Sequence, residues 1–175
     1  PDVRFAYEMT ERGPRPISWQ ELYDGARDLA RGLAWLGLRP GDRIGVFLPN
    51  GLAWDVAQFG ILWAGGIVVG LDPFSPPDVI ADIVRRSQCN GLIVDRLEDI
   101  KGWDPETVAG FNWVLTRRLP PADSSHRLRV MAWEELSEAA QSGRVPPIER
   151  VRPEHPAQAQ HLGPRIRSLS AHRSG

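Results

Sequence analysis

The stretch Leu-Arg-Pro-Gly-Asp-Arg-Ile-Gly-Val-Phe-Leu-Pro-Asn, residues 38–50, decides the fold. Its Pro-Gly-Asp segment, residues 40–42, predicts a tight turn, because proline fixes φ and glycine accepts positive φ. Residues 43–48, which are apolar after Arg43, are typical of a short buried strand. Pro49 ends that strand, and we expect Asn50 to cap the helix that follows.

A helix is predicted on each side of this strand. Ser18 and Glu21 form a capping-box pattern, and apolar residues recur behind them at helical spacing. We therefore expect a first helix over residues 19–36, which ends at Gly37 because glycine accepts the left-handed cap. A second helix is expected over residues 52–64.

The alternation of helices and strands continues along the chain. Residues 67–69 and 92–94 read as buried strands, and between them Ser75 is expected to cap a third helix. Because such alternation is typical of strands joined by crossover helices, the sequence predicts an α/β fold. Its sheet should be parallel or mixed and flanked by helices on its faces.

The second half of the chain is less regular. We predict strands over residues 111–116 and 128–131, a polar loop over 120–126 and a helix over 133–140. Residues 1–143 are therefore expected to form an α/β domain. Residues 144–175 are rich in arginine and proline, and we expect this tail to be poorly ordered.

Composition restricts the classes of function. A chain of 175 residues that is 42% hydrophobic has the size of one globular domain. Its net charge of −1 gives no reason to expect a nucleic-acid partner. Residues 54–71 are interrupted by glycines and polar residues, so no membrane span is expected. The single cysteine and the lack of a signal-peptide pattern favour a cytoplasmic protein.

None of the common catalytic motifs is present in the sequence. The sequence contains no Gly-x-x-x-x-Gly-Lys-Ser/Thr loop, no Gly-x-Gly-x-x-Gly and no Gly-x-Ser-x-Gly elbow. The four histidines lack the spacing of a helical zinc site and are interpreted as solvated: His126, His155, His161 and His172. We therefore predict no catalytic, cofactor-binding or metal-binding residue in this chain.

Three further features have a functional and a structural interpretation. Cys89 has no activating neighbour in the sequence, so we interpret it as an ordinary packed or surface thiol. Asp42 and Asp72 could belong to sites, but turn carboxylates that bond nearby backbone N–H groups are the simpler interpretation. The seven tryptophans are expected in the core or at interfaces rather than stacked on a ligand.

The order of these elements resembles the N-terminal region of the AMP-forming adenylating enzymes. This family includes acyl-CoA synthetases, aryl-CoA ligases, luciferases and peptide-synthetase adenylation domains. The resemblance is carried by six pieces in order: Ile17-Ser18-Trp19-Gln20-Glu21-Leu22, Ala30-Arg31-Gly32-Leu33, Gly37-Leu38-Arg39-Pro40-Gly41-Asp42-Arg43-Ile44, Leu48-Pro49-Asn50, Gly60-Ile61-Leu62-Trp63-Ala64-Gly65-Gly66 and Leu71-Asp72-Pro73.

The resemblance implies a function for the full-length family. Its members activate a carboxylic acid with Mg·ATP to an acyl-adenylate and pass the acyl group to a thiol, often coenzyme A. A fatty acid is the expected acid here, from general likeness around residues 69–83. The family's Tyr-Thr-Ser-Gly-Thr-Thr-Gly-x-Pro-Lys-Gly loop matches no position in this chain. We therefore expect this piece to bind no cofactor and to be inactive alone.

Two other functions remain open on the sequence. One is a non-catalytic remnant or partner-binding module, in which an uncovered apolar surface favours self-association. The other is an unrelated doubly wound domain with a small-molecule site at the ends of its strands.

The departure from the family is local. Residues 152–158 resemble the lead-in to the phosphate-binding loop, which should begin near Gln160, but the chain continues His161-Leu162-Gly163. A shifted reading frame is one explanation, because TACACCTCGGG encodes Tyr-Thr-Ser in one frame and His-Leu-Gly when read two bases later. A truncation and a genuine divergence are the alternatives.

The shifted-frame explanation makes a direct prediction. Translation of the gene in one of the other two frames should give Thr-Thr-Gly-x-Pro-Lys shortly downstream of the codon for Gly163. Sequencing of the gene region is the measurement. If neither frame contains the motif, the frameshift hypothesis is wrong.

Overall fold

The structure is a computed structural model, and it describes residues 3–118 and 130–142. Two antiparallel strands come first, and alternating helices and strands follow. The elements in chain order are β1 (Arg4–Thr10), β2 (Gly13–Ser18), α1 (Trp19–Trp35), β3 (Arg43–Phe47), α2 (Leu52–Trp63), β4 (Ile67–Gly70), α3 (Pro77–Ser87), β5 (Gly91–Val94), α4 (Pro105–Ala109), β6 (Trp113–Thr116), β7 (Val130–Ala132) and α5 (Trp133–Gln141). A short 3₁₀ turn, Leu97–Ile100, lies between β5 and α4.

In the part of the chain that the structure describes, the main sheet has five parallel strands in the order β4-β3-β5-β6-β7. The predicted α/β class is confirmed, and the open choice between a parallel and a mixed sheet is settled in favour of parallel. Helices α1, α2 and α5 contribute to an apolar cluster on one face of the sheet. Helix α3 contributes to a second cluster on the other face.

Strand β3 shows why the sheet is buried on both faces. Ile44 and Val46 belong to the cluster with α1 and α2, whereas Phe47 belongs to the cluster with α3. Successive side chains of a strand point to opposite faces, so an apolar run without polar interruptions requires a cover on each side. The run predicted over residues 43–48 meets this requirement and is observed as Arg43–Phe47.

The turn before β3 also holds the two neighbouring strands in register. The backbone N–H of Gly41 donates to Gly65 O at 2.9 Å, and that of Ile67 donates to Asp42 O at 2.8 Å. On the other side, the N–H of Asn90 donates to Arg43 O at 2.7 Å. These bonds join the entries to β3, β4 and β5 at one end of the sheet.

Helix α1 begins as the sequence predicts, with one difference in its cap. The Ser18 hydroxyl accepts a hydrogen bond from the Glu21 N–H at 3.1 Å. The Glu21 carboxylate does not complete the box but accepts from Arg15 at 2.7 Å, so it joins the helix to the β1–β2 hairpin. At the other end, Gly37 has a φ of 94°, which agrees with the predicted glycine stop.

Two predicted caps are wrong. Asn50 does not cap α2, because the N-cap position is Gly51 with a φ of 149° and no side-chain bond. Ser75 does not cap α3, because its hydroxyl donates to Asp72 Oδ2 at 3.3 Å while Pro76 occupies the N-cap position. In both cases the chain turns one residue later than the local pattern suggests.

Other differences concern element boundaries and missed elements. The strand expected over residues 111–116 begins at Trp113, and the strand expected over 128–131 is observed as Val130–Ala132. The β1–β2 hairpin, the 3₁₀ turn and α4 were not predicted. The loop at 120–126 and the tail at 144–175 lie outside the described residues, and the domain division at residue 143 stays a prediction.

Several glycines allow side chains or helices to approach closely. A Cβ built on Gly60 of α2 would lie 2.8 Å from a methyl of Leu29 of α1. A Cβ on Gly91 of β5 would overlap the indole ring of Trp113 on β6, and a ring cannot move aside as a flexible chain end can. Gly91 is therefore required by packing rather than by its backbone conformation.

We expect Gly91→Ala to lower the free energy of unfolding by about 1–3 kcal/mol, because it overpacks a buried strand contact. Urea unfolding followed by circular dichroism is the measurement. The matched control is Gly102→Ala, since a Cβ there meets nothing within 4 Å and should change stability by less than about 0.5 kcal/mol. Equal stability of the two variants would contradict this packing argument.

Candidate functional site

Strand order identifies the part of the sheet where a ligand site is expected. After β3 the chain passes through α2 to β4 on one side, whereas after β5 it continues to β6 on the other side. The connections therefore leave in opposite directions between β3 and β5, and open parallel sheets bind ligands at the carboxyl ends of such neighbouring strands. The carboxyl ends of β3, β5 and the strands beside them are the candidate functional site.

Asp95 lies at this edge, directly after β5, and is 8% exposed. Its Oδ1 accepts a hydrogen bond from Arg117 at 3.2 Å. Its Oδ2 pairs with Arg118 Nε at 3.3 Å and, more loosely, with Arg96 Nε at 4.0 Å. One buried carboxylate thus stands among three guanidinium groups, and we call these four residues the Asp95 cluster.

The backbone fixes two of these arginines. The N–H of Arg117 donates to Val94 O at 3.1 Å, and that of Arg118 donates to Asp95 O at 3.0 Å. The Thr116 hydroxyl donates to Arg118 O at 2.8 Å. The pairing of β5 with β6 therefore continues past the last strand residues and carries the arginines to the side of Asp95.

The Asp95 cluster was not predicted from the sequence. A signal was present, because Asp95 follows a buried strand just as Asp72 does, and Arg117-Arg118 follows another. The order of the strands is what joins them, since 22 positions separate Asp95 from Arg117. That order is not contained in the local pattern of either segment.

The carboxylates singled out from the sequence serve turns, as the simpler interpretation predicts. Asp42 Oδ2 accepts from the N–H of Arg39 at 2.8 Å. Asp72 Oδ1 accepts from the N–H of Phe74 at 3.0 Å, and its other oxygen accepts from the Ser75 hydroxyl. Each carboxylate therefore bonds within its own turn, Asp42 before β3 and Asp72 after β4.

Cys89 lies in the apolar cluster on the α3 face and is buried. Burial raises the pKa of its thiol to about 12, so the thiol stays protonated near neutral pH. This agrees with the interpretation of a packed cysteine rather than a nucleophile. A cavity of about 450 Å³ borders it, lined in part by Asn90, Asp104 and Thr107.

A second concave surface lies between α1 and α2. It has a volume of about 560 Å³, and we call it the α1–α2 groove; it is lined by Trp19, Leu22, Tyr23, Ala26, Phe59, Leu62 and Trp63. The Tyr23 and Trp63 rings are 5.1 Å apart, and Trp19 is 52% exposed. By contrast, Trp103 and Trp113 are buried, which is the core packing expected for tryptophan.

Within residues 3–118 and 130–142, no group of three or more His, Cys, Asp or Glu side chains could hold a metal ion. The four histidines lie outside the described residues. No described helix is long and apolar enough to cross a membrane.

Two curated proteins illustrate the similarity. A long-chain-fatty-acid–CoA ligase of Rattus norvegicus, ACSBG2, is 27% identical over 125 residues, which is 70% of this chain and 18% of the relative. The mitochondrial medium-chain acyl-CoA ligase ACSF2 of Mus musculus is 31% identical over 77 residues, which is 44% of this chain and 12% of the relative. The chain thus spans less than a fifth of either protein.

Solved structures show the same fold. The acetoacetyl-CoA synthetase of Streptomyces lividans matches with a TM-score of 0.71 at 24% identity, and the match covers 90% of this chain and 25% of that one. The model of the family described as AMP-binding enzyme matches residues 2–161. This match covers most of the chain, including the six pieces noted in the sequence. The chain therefore belongs to the AMP-binding enzyme family.

Proposed function

We propose that this chain is the N-terminal portion of an AMP-forming acid–thiol ligase. The observation that carries the proposal is the family match over residues 2–161. It also excludes the alternative of an unrelated doubly wound domain. A fatty acid is the proposed substrate, supported by the long-chain and medium-chain acids in the names of the two curated relatives.

The reaction proposed for the full-length protein is the activation of a carboxylate by ATP to an acyl-adenylate and pyrophosphate. The acyl group then passes to a thiol, proposed to be coenzyme A, and AMP leaves. Activation is needed because a free carboxylate has a poor leaving group, whereas AMP is a good one. We place this reaction in the cytoplasm and expect it to require Mg²⁺.

The contribution of this chain to that reaction is scaffold. The matched pieces build turns, the N-terminal cap of α1 and the start of β3, and two of them flank β4. Because the phosphate-binding loop matches no position in the sequence, no catalytic step is assigned to its residues.

We expect the purified chain to release no pyrophosphate above background from Mg·ATP and a mixture of fatty acids. The reason is that the glycine-rich loop that would hold the phosphates is missing. A coupled pyrophosphate assay is the measurement, with an active acyl-CoA ligase in parallel as the positive control. Turnover by the purified chain would refute its inactivity while leaving its family unchanged.

A second role, self-association as a non-catalytic module, is favoured by the α1–α2 groove. Trp19, Tyr23 and Phe59 are each between 42% and 52% exposed, and they lie together on one surface. Adjoining exposed aromatics of this kind favour contact with another apolar surface. We propose a second copy of the chain as the occupant, because each copy presents the same apolar face and no charge opposes the contact within the groove lining.

We expect Phe59→Ser to reduce concentration-dependent light scattering and to shift the chain towards monomer. The matched control is Phe74→Ser, which removes an aromatic that is 95% exposed but lies outside the groove. Static light scattering across a concentration series measures both variants. A monodisperse wild-type monomer, or equal effects of the two substitutions, would contradict self-association through the groove.

A further inference from the structure

The Asp95 cluster carries more positive than negative charge. Arg96, Arg117 and Arg118 share the carboxylate of Asp95, and Arg96 also lies 3.6 Å from Asp99 Oδ1. Three cationic groups therefore face two carboxylates, and one of those carboxylates is buried beneath them. An arrangement that only neutralised Asp95 would need one arginine.

The guanidinium groups also keep donors for another ligand. The nitrogen nearest to Asp95 is NH1 in Arg117 and Nε in Arg118 and Arg96. A guanidinium has five N–H donors, more than one carboxylate oxygen can accept, so donors remain for a ligand. The side chains are 41%, 65% and 52% exposed for Arg117, Arg118 and Arg96, which leaves them within reach of a solute.

Position and rigidity distinguish this cluster from an ordinary charged surface. The backbone bonds of Arg117 and Arg118 to Val94 and Asp95 fix where both side chains begin. The cluster lies at the carboxyl ends of β5 and β6, beside the point where the strand connections reverse. Ligands of open parallel sheets collect at this edge.

We propose that Arg96, Arg117 and Arg118 form a binding site for a phosphoryl oxyanion, with Asp95 holding the arginines together. Guanidinium groups bind phosphate oxygens through paired N–H donors. A phosphoryl group carries several negative charges, so it can bind several arginines at once, whereas one carboxylate carries a single charge. The proposal stands on the geometry of the cluster and does not depend on the proposed ligase function.

Calorimetric titration with inorganic pyrophosphate at constant ionic strength tests the site. We expect saturable binding to the full chain that is about tenfold weaker in Arg117→Gln/Arg118→Gln, because charge-assisted hydrogen bonds are lost. The matched control is Arg85→Gln/Arg86→Gln, which removes an adjacent arginine pair from α3 and the same charge. This control should bind like the wild type.

Competition titrations identify the source of the phosphoryl group, and a second variant covers the case in which the double variant does not fold. Acetate at the same ionic strength should not compete, whereas ATP should compete if the phosphoryl group comes from a nucleotide and should fail if the ligand is inorganic. If the double variant does not fold, Arg118→Gln alone and the shifts of the Arg117 and Arg118 amide resonances in the wild type replace it. The absence of saturable binding, equal weakening in both arginine pairs, or amide shifts elsewhere would overturn the proposal.

Discussion

The structure depends on the double pairing and double burial of β3. This strand has a neighbour on each edge and an apolar cluster on each face, so four of its five residues are buried. The turn before it accepts backbone bonds from the entries to both neighbours. Backbone bonds at residues 41–43 therefore align β3 with β4 and β5, and the helices on either face pack against the sheet that these strands form.

This arrangement explains why the local sequence was so informative about the main sheet. An unbroken apolar run, a Pro-Gly-Asp turn and a glycine helix stop are each local signals, and each is used locally in the structure. The hairpin at the start of the chain was missed for the opposite reason. Pro14 and Pro16 argue against a strand, but they are tolerated because the hairpin is a separate two-stranded sheet whose strands are both edges. The turn at Leu97–Ile100 and the helix α4 are too short to show a period.

The candidate site was predicted less well, because it is made by topology. Asp72 and Asp95 carry the same signal in the sequence, a carboxylate after a buried strand, yet their environments differ. Among the described residues, strand β4 lies at an edge of the sheet, and Asp72 bonds within its own loop. Strand β5 has β6 beside it, so Asp95 meets the arginines that follow β6. The caps at Asn50 and Ser75 failed similarly, since the position of each helix start was decided by a competing bond or by backbone geometry.

The parallel sheet has a consequence for how the chain folds. Parallel neighbours cannot be joined by a tight hairpin, so each pairing among β3 to β7 requires a crossover segment to be closed first. Such long-range closures cost chain entropy before any ladder bond is gained, and they slow folding. The β1–β2 hairpin is the only pairing in the described chain that is local in sequence. A newly made chain can therefore form its N-terminal hairpin early. Its central strands stay unpaired until the strands that follow them in the sequence have been made.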